Sequence, residues 1–239
     1  MEASPNVKLP PGQRATEGFP RFGTHLGRPA PAVPRDPAIE IGGAVADPFS
    51  LPLAALMALG RRELTADFHC VAGWSAIGLR WEGVAFDTIY RTHIEPAVRP
   101  GATVSHVVFG GLDGYRSIVA LEDALAEDVL IADRLDGRPL DGDHGAPARL
   151  LSPSQYGFMS TKHLSRIEVH TAEPRELHDH ASRLSRVVFR ARLIKTHPRA
   201  RVWREERHPQ IPARALRPVY RALIAPLRLL CARGGRGGT

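Results

Sequence analysis

The residues from about 38 to 170 alternate between short runs rich in β-branched side chains and turns rich in Gly, Pro and Asp. This pattern predicts strands at 39–43, 65–71, 105–109, 148–151 and 166–169, with a turn at 110–114. Short helices are predicted at 51–59, 87–90 and 121–125. Because these elements interleave without a regular strand–helix–strand rhythm, we expect a compact α+β fold with mixed sheets rather than a doubly wound sheet.

The two ends of the chain differ from this middle part in composition. Residues 1–37 are rich in Pro, Gly and isolated Arg and show no period of 2 or 3.6, so we expect an extended arm that wraps the core. After residue 171 the chain turns strongly basic. The predicted organisation is an N-terminal arm at 1–37, a central domain at 38–170 and a basic C-terminal extension at 171–239.

The charge and the cysteines narrow the class of protein only partly. The formal net charge of +7 suits nucleic acid, an acidic membrane surface or a polyanionic cofactor equally well. Cys70 and Cys231 lie far apart in different surroundings, which does not indicate a disulfide framework. The N-terminus lacks the pattern of a secretory signal, and the apolar stretch at 51–59 is too short to cross a bilayer. We therefore expect a cytoplasmic protein without a transmembrane helix.

The C-terminal extension allows two interpretations. Apolar residues recur at helical spacing between 219 and 230, with Arg221 and Arg228 among them. Such a helix suits a membrane surface or a partner groove, or it packs on its own domain, which is the commoner arrangement. The many arginines also leave open a basic protein that binds nucleic acid or a membrane surface through this region.

The segment from 67 to 84 is the most informative part of the chain for chemistry. Cys70 follows a predicted strand and precedes a Gly- and Trp-rich stretch, and a strand end that opens into a loop is a natural ligand site. A thiolate is a soft ligand for a transition metal, but no close set of Cys and His indicates zinc. From the residues alone, a small buried hydrophobe is the favoured interpretation of Cys70, and a nucleophile with His69 or His93 as its base is an alternative that no local signature supports.

Several motifs in order resemble the sulfite oxidase family of molybdopterin oxidoreductases, in particular its short, haem-free members. The resemblance covers roughly residues 8–170 and rests on FHCVAGWS at 68–75 with RWEGV at 80–84, VVFGGLDGY at 107–115, EDVLIA at 127–132 with GRPL at 137–140, DHGAPARL at 143–150 and YGFMSTK at 156–162. Five ordered motifs make coincidence improbable, although each is weak alone. The resemblance implies a sulfite oxidase-type molybdopterin-binding fold.

The resemblance also implies a cofactor and the residues that hold it. The cofactor is molybdenum with molybdopterin that carries no attached nucleotide, and Cys70 is both the metal ligand and the catalytic residue. His144 and Arg149 correspond to contacts with the pterin and its phosphate, and Ser160, Thr161 and Lys162 to the second part of that cradle. Gly111 corresponds to a contact through the backbone, and Pro20 and Arg21 to a stretch of the arm that touches the cofactor.

The reaction implied by the resemblance is two-electron oxygen-atom transfer on a small oxo or sulfur-containing substrate. In sulfite oxidases an arginine of the arm and a tyrosine after the lysine motif help to bind sulfite. Residues 23–26 supply no such arginine, and no tyrosine follows Lys162 before Tyr220, so the substrate stays open between sulfite-like and sulfoxide-like compounds. Without a haem segment or a cysteine set for an iron–sulfur cluster, electrons must pass to or from a separate partner. The basic extension is a candidate docking surface for an acidic protein or a membrane, and no nucleic acid is expected.

Overall fold

The computed structural model describes residues 8–22, 29–174 and 197–234. In chain order its strands are β1 (Arg14–Ala15), β2 (Ala38–Gly43), β3 (Phe49–Pro52), β4 (Arg61–His69), β5 (Trp74–Ala85), β6 (His106–Gly111), β7 (Arg116–Ala120), β8 (Leu130–Leu135), β9 (Arg138–Pro139), β10 (Arg149–Leu151) and β11 (Leu164–His170). Its α-helices are α1 (Leu53–Met57), α2 (Phe86–Ile89), α3 (Leu121–Ala124) and α4 (Ala213–Gly234). A π-helical turn, Tyr90–Ile94, and a 3-10 turn, Glu95–Ala97, follow α2.

The strands form two mixed sheets. The first sheet is centred on β5, which pairs antiparallel with β4 and β8 and parallel with β1 of the arm, while β9 and β10 extend it beside β8. The second sheet has the order β3-β2-β11-β6-β7, in which β2 and β11 are parallel and the other pairs are antiparallel. The expected α+β fold with mixed sheets and short helices is confirmed.

Two hydrophobic clusters hold the sheets and helices together. The main cluster combines residues of both sheets, among them Ile41, Phe109 and Ile131, which are fully buried. Burial of each such side chain contributes about 1.5–3 kcal/mol. The second cluster surrounds Cys70 and Trp81 in the first sheet. The cysteine therefore lies inside packed structure and not on a free loop.

The cysteine segment departs from the predicted strand pattern. The sequence pattern predicted a strand at 65–71 and no further strand before residue 105. In the structure β4 ends at His69 and the twelve-residue strand β5 begins at Trp74. Gly83 within β5 explains part of this difference, because a Cβ there would lie 2.2 Å from the carbonyl oxygen of Ile131 on β8. A glycine that usually weakens a strand is needed here for close strand approach.

The basic extension contributes to the core of the domain. Ala200 and Val202 are fully buried members of the main cluster, and Tyr220 and Ile224 of α4 pack against the second cluster. Of the two interpretations of the C-terminal helix, packing on its own domain describes this inner face. Residues 175–196 of the extension lie outside the described residues. No helix in the described part of the chain is long and apolar enough to span a membrane.

Candidate functional site

Cys70 lies in a tight loop that joins the two longest strands of the first sheet. The amide of Gly73 donates to the carbonyl of Cys70 at 2.9 Å, and Gly73 adopts a φ of 99°, which favours glycine. The side-chain amide of Gln13, from the arm, donates to the same carbonyl at 3.1 Å. The amide of Ala72 lies 3.5 Å from the Cys70 sulfur, a geometry that stabilises a thiolate.

A cavity of about 440 Å³ opens beside this loop. Its walls come from the arm, the cysteine loop, the turn after β6 and the loops before and after β10. A volume in this range accommodates a heterocyclic ligand of moderate size. Of the predicted site residues, those that line the cavity are Cys70, Pro20, Arg21, Ser160 and Lys162.

Lys162 is a half-buried cation at the wall of this cavity. Its ammonium donates to the carbonyl of Asp143 at 2.5 Å. Burial, reinforced by the nearby charges of Arg149 and Arg21, lowers the pKa of Lys162 to about 8. Burial removes hydration from the ammonium and so destabilises its charged form. An anionic ligand would offset this cost by a direct electrostatic attraction.

Arg149 is fully buried behind the cavity wall. Its guanidinium donates to the carbonyls of His144 and Ser160 at 3.0 and 3.2 Å and lies 4.9 Å from the ring centroid of Phe68. Among the described residues no carboxylate forms an ion pair with it, and desolvation lowers its pKa to about 9. Arg149 therefore adds positive potential to the site from behind the wall.

The remaining predicted residues do not line the cavity. The ring of Phe19 lines the cavity and stacks on His144 at 4.9 Å, while His144 Nε2 lies 2.9 Å from the Phe19 carbonyl oxygen. The hydroxyl of Thr161 is used inside the fold, 2.7 Å from that of Ser117. The structure thus brings five predicted residues together and keeps His144, Arg149, Thr161 and Gly111 outside the lining.

Gly111 shapes the site through its lack of a side chain. A Cβ at this position would lie 2.4 Å from the carbonyl oxygen of Lys162 and 2.7 Å from Asp113 Oδ1. We expect Gly111→Ala to displace the Lys162 backbone and to lower the free energy of unfolding by about 1–3 kcal/mol. Thermal unfolding of this variant beside Gly42→Ala, where the nearest atom to a Cβ is 3.9 Å away, checks the prediction. Equal stability of the two variants would contradict it.

Four ionisable residues at the cavity were not predicted as site residues. Asp113, Tyr115, Asp143 and His163 line it, and the Tyr115 hydroxyl donates to the carbonyl of Phe158 at 2.6 Å. Burial lowers the pKa of His163 and keeps its imidazole neutral. The GLDGY turn was visible in the sequence, but only folding brings it against the loop of residue 163.

The positions of His69 and His93 argue against the alternative that one of them is the base of a catalytic Cys70. His69 Nδ1 lies 2.8 Å from Ser75 Oγ, which itself donates to the Gln13 side chain at 3.0 Å. Burial lowers the pKa of His69. His93 lies in the π-helical turn and does not line the cavity beside Cys70.

The residues present fit a molybdopterin group at the cavity. Cys70 supplies a soft thiolate ligand and Lys162 a cation for a phosphate. The indole nitrogen of Trp74, which also lines the cavity, is buried and finds no hydrogen-bond acceptor among the described residues. A heterocycle rich in acceptors would satisfy this donor. The fit is weaker at His144, whose ring is covered by Phe19.

Comparison with known proteins decides the family. A sequence model of the oxidoreductase molybdopterin binding domain matches residues 25–178. The chain belongs to this molybdopterin-binding oxidoreductase family. It is 31% identical over 163 residues to the uncharacterized oxidoreductase YuiH of Bacillus subtilis, a match that spans 67% of this chain and 78% of YuiH. The predicted family, of sulfite oxidase type, and the predicted molybdopterin cofactor are confirmed.

More distant relatives agree with this family and its fold. The chain is 29% identical over 144 residues to the protein-methionine-sulfoxide reductase catalytic subunit MsrP of Xanthomonas axonopodis, covering 54% of this chain and 43% of MsrP. The crystal structure of the sulfane dehydrogenase SoxCD from Paracoccus pantotrophus superposes with a TM-score of 0.51 at 21% identity, over 60% of this chain and 40% of that one. The chain thus spans less than half the length of these two relatives.

Proposed function

We propose that this oxidoreductase transfers an oxygen atom between water and a small, uncharged organic sulfur compound of the sulfoxide–thioether type. The observation that carries the proposal is the cavity beside Cys70, whose wall is mainly apolar and includes six aromatic and three proline residues. A wall of this kind favours an organic group on sulfur over a small dianion. The name of MsrP, a protein-methionine-sulfoxide reductase subunit, supports the same class.

The charges at the cavity support an uncharged substrate. Two cations, Arg21 and Lys162, face two carboxylates, Asp113 and Asp143. Arg21 Nη1 lies 3.2 Å from Asp143 Oδ1, so that cation is already paired. In this proposal Lys162 and the potential of Arg149 serve the cofactor phosphate and Arg21 is paired, so the described wall offers no further cation to select a dianion such as sulfite. Residues 23–28, where sulfite oxidases carry an arginine, lie outside the described residues.

The chain's own residues have distinct parts in this proposal. Cys70 would hold the metal, Lys162 and the side chain of Ser160 would hold the phosphate, and Arg149 would add positive potential from behind. When bound, the molybdenum group supplies a centre that accepts or donates two electrons and an oxygen atom. The aromatic wall excludes bulk water and orients the organic part of the substrate. Reduction of a sulfoxide consumes two electrons and two protons and yields a thioether and water.

A comparison of two substrates tests the proposal. The molybdenum-loaded protein is assayed for reduction of dimethyl sulfoxide, which is uncharged, with reduced methyl viologen and for oxidation of sulfite with ferricyanide. We expect kcat/KM for the sulfoxide to exceed that for sulfite by about tenfold or more, because the cavity stabilises an apolar substituent and not a dianion. Faster turnover of sulfite would contradict the proposed substrate class.

The ion pairs of the basic region argue against the alternative that this region binds nucleic acid. Arg199 pairs with Asp123 and Glu122, and Arg201 pairs with Glu206. Arg217 forms two bonds to Glu205. Since these guanidinium groups are engaged within the domain, they do not form a free cationic stripe for phosphates. Arg183 to Lys195 lie outside the described residues.

We propose the outer face of α4 as the docking surface for an acidic electron-transfer protein. Val219, Leu223 and Leu229 are 56%, 44% and 66% exposed, and the sequence from 213 to 234 contains five arginines and no acidic residue. The inner face of α4 packs on the Cys70 cluster. A carrier docked outside would therefore be separated from the cluster by about one helix diameter, roughly 10 Å.

Charge reversal on α4 tests this surface. We expect Arg221→Glu to slow electron delivery from reduced flavodoxin, a small acidic redox protein, by about tenfold at low salt. The rate with methyl viologen should not change, because the dye needs no docking surface. Arg80→Glu, a reversal at an exposed position on β5, is the matched control. An equal loss with dye and protein donors, or no loss with either, would contradict the assignment.

The resemblance and the sequence pattern predict the domain limits at 37 and 170, the separate contacts of each site residue and a pterin without a nucleotide. A cytoplasmic location is likewise a prediction, which fractionation of the native host would test.

A further inference from the structure

Arg207 connects the C-terminal extension to the cysteine loop. This residue lies outside the segment matched by the family, 25–178, and its side chain is 1% exposed. Its Nη1 donates a short hydrogen bond to the carbonyl oxygen of Val71, the residue that follows Cys70. Val71 also lines the cavity. An arginine from the extension thus touches the backbone next to the candidate metal ligand.

Two aromatic rings and one carboxylate hold the guanidinium of Arg207 in position. It lies 5.0 Å from the ring centroid of Tyr156 and 5.9 Å from that of Tyr220 on α4. Its Nε lies 3.6 Å from Glu205 Oε1, and Glu205 is held in turn by two bonds from Arg217. The Tyr220 hydroxyl lies 2.5 Å from His208 Nε2. Residues from 205 to 220 therefore form a rigid support for one hydrogen bond to the loop.

The loop has a second external support of the same kind. Gln13 of the arm holds the carbonyl of Cys70, and Arg207 holds the next carbonyl along the chain. Because these neighbouring carbonyls are held by two segments distant in sequence, the backbone at Cys70 is fixed, and with it the direction in which the Cα–Cβ bond leaves the loop. Burial of an arginine with Nε and Nη2 lacking hydrogen-bond partners in the described structure is costly, which argues that the contact serves more than stability.

We infer that Arg207 is a positioning residue for the Cys70 thiolate, so that the C-terminal extension completes the metal site. This inference rests on the proposed role of Cys70 as the ligand. A planar, fork-shaped guanidinium held close to two aromatic rings fixes the direction of its donors, and a lysine ammonium does not. Arg207→Lys keeps the charge and loses this direction, which makes it the informative substitution. Arg207→Met removes both charge and donor.

The test uses the cofactor-free and the loaded protein in a Cys231→Ser background. We expect iodoacetamide to alkylate Cys70 about tenfold faster in Arg207→Lys and Arg207→Met, the change expected from the loss of one buried hydrogen bond. In the loaded protein we expect an altered electron paramagnetic resonance spectrum of the one-electron-reduced metal. Arg201→Lys, at an arginine paired with Glu206 and not with the loop, is the control.

Each result has a defined meaning. Faster alkylation and a changed spectrum in Arg207→Lys, with the control unchanged, support the positioning role. Wild-type alkylation and a wild-type spectrum in a folded Arg207→Lys protein overturn it, even if stability is reduced. A wild-type protein that binds no molybdenum would contradict the proposed function, whereas the alkylation rates would still decide the role of Arg207.

Discussion

The Cys70→Ser protein is expected to fold, to bind almost no molybdenum and to lose more than about 100-fold in oxygen-atom transfer. The reason is that an alcohol is a far poorer ligand than a thiolate for this metal, and even indirect supports of metal sites are worth 10- to 100-fold. Serine keeps the shape of the side chain and can still accept the hydrogen bond from Ala72, so the loop has no cause to collapse. Metal content and sulfoxide turnover are the measurements.

Cys231→Ser is the matched control for this substitution. Cys231 lies in the C-terminal stretch of the sequence, at a distance of 161 positions along the chain from Cys70. We expect it to retain the metal and the activity of the wild type. Wild-type molybdenum content in Cys70→Ser, or loss of the metal in Cys231→Ser alone, would contradict the assignment of the ligand.

Lys162→Met is expected to reduce retention of the pterin cofactor by about 10- to 100-fold. The side chain is half-buried at the cavity wall, and loss of a charge-assisted contact to phosphate in such surroundings costs about 1.5–3 kcal/mol. Pterin content after gel filtration measures the effect. Lys8→Met, at an exposed lysine whose ammonium lies 6.0 Å from the Trp203 ring, is the control. Full retention in Lys162→Met would exclude Lys162 from the phosphate contact.

The same substitution predicts a change in the pH dependence of stability. Because burial lowers the pKa of Lys162 from 10.5 to about 8, the unfolded chain binds more protons than the folded chain between these pH values. The free energy of unfolding of the cofactor-free protein should therefore receive an increasing contribution from Lys162 as the pH rises from about 8 to 10.5. Lys162→Met should lack this contribution and be more stable than the wild type below pH 8. Parallel wild-type and variant curves would contradict the burial of a charged lysine.

Much of the fold could be predicted from local patterns. The β-branched run at 105–109 corresponds to β6, and the alternating run at 166–169 corresponds to β11. β5 was missed because Gly78 and Gly83 interrupt its strand-like composition. Gly83 lies too close to β8 to carry a side chain, and Gly78 adopts a φ of 66°, which favours glycine. Both requirements come from tertiary structure and leave no local signal.

Site residues that belong to a sequence motif could be predicted. Contacts between segments that are distant in sequence could not. Cys70 and Lys162 were found through motifs, and both line the cavity. His144 was predicted as a pterin contact, yet the structure covers its ring with Phe19, 125 positions earlier in the chain. Arg207 contacts Val71 across 136 positions. No periodicity or spacing indicates contacts of this range, because they depend on how the sheets and α4 pack.

The central claim is that this chain holds one molybdenum and one molybdopterin through Cys70. Elemental and pterin analysis of the wild-type protein, purified from a host with a complete cofactor pathway, tests it most directly. The account predicts about one molybdenum per chain together with a pterin that carries no nucleotide. Protein that is folded and monodisperse but free of metal and pterin after such expression would contradict it.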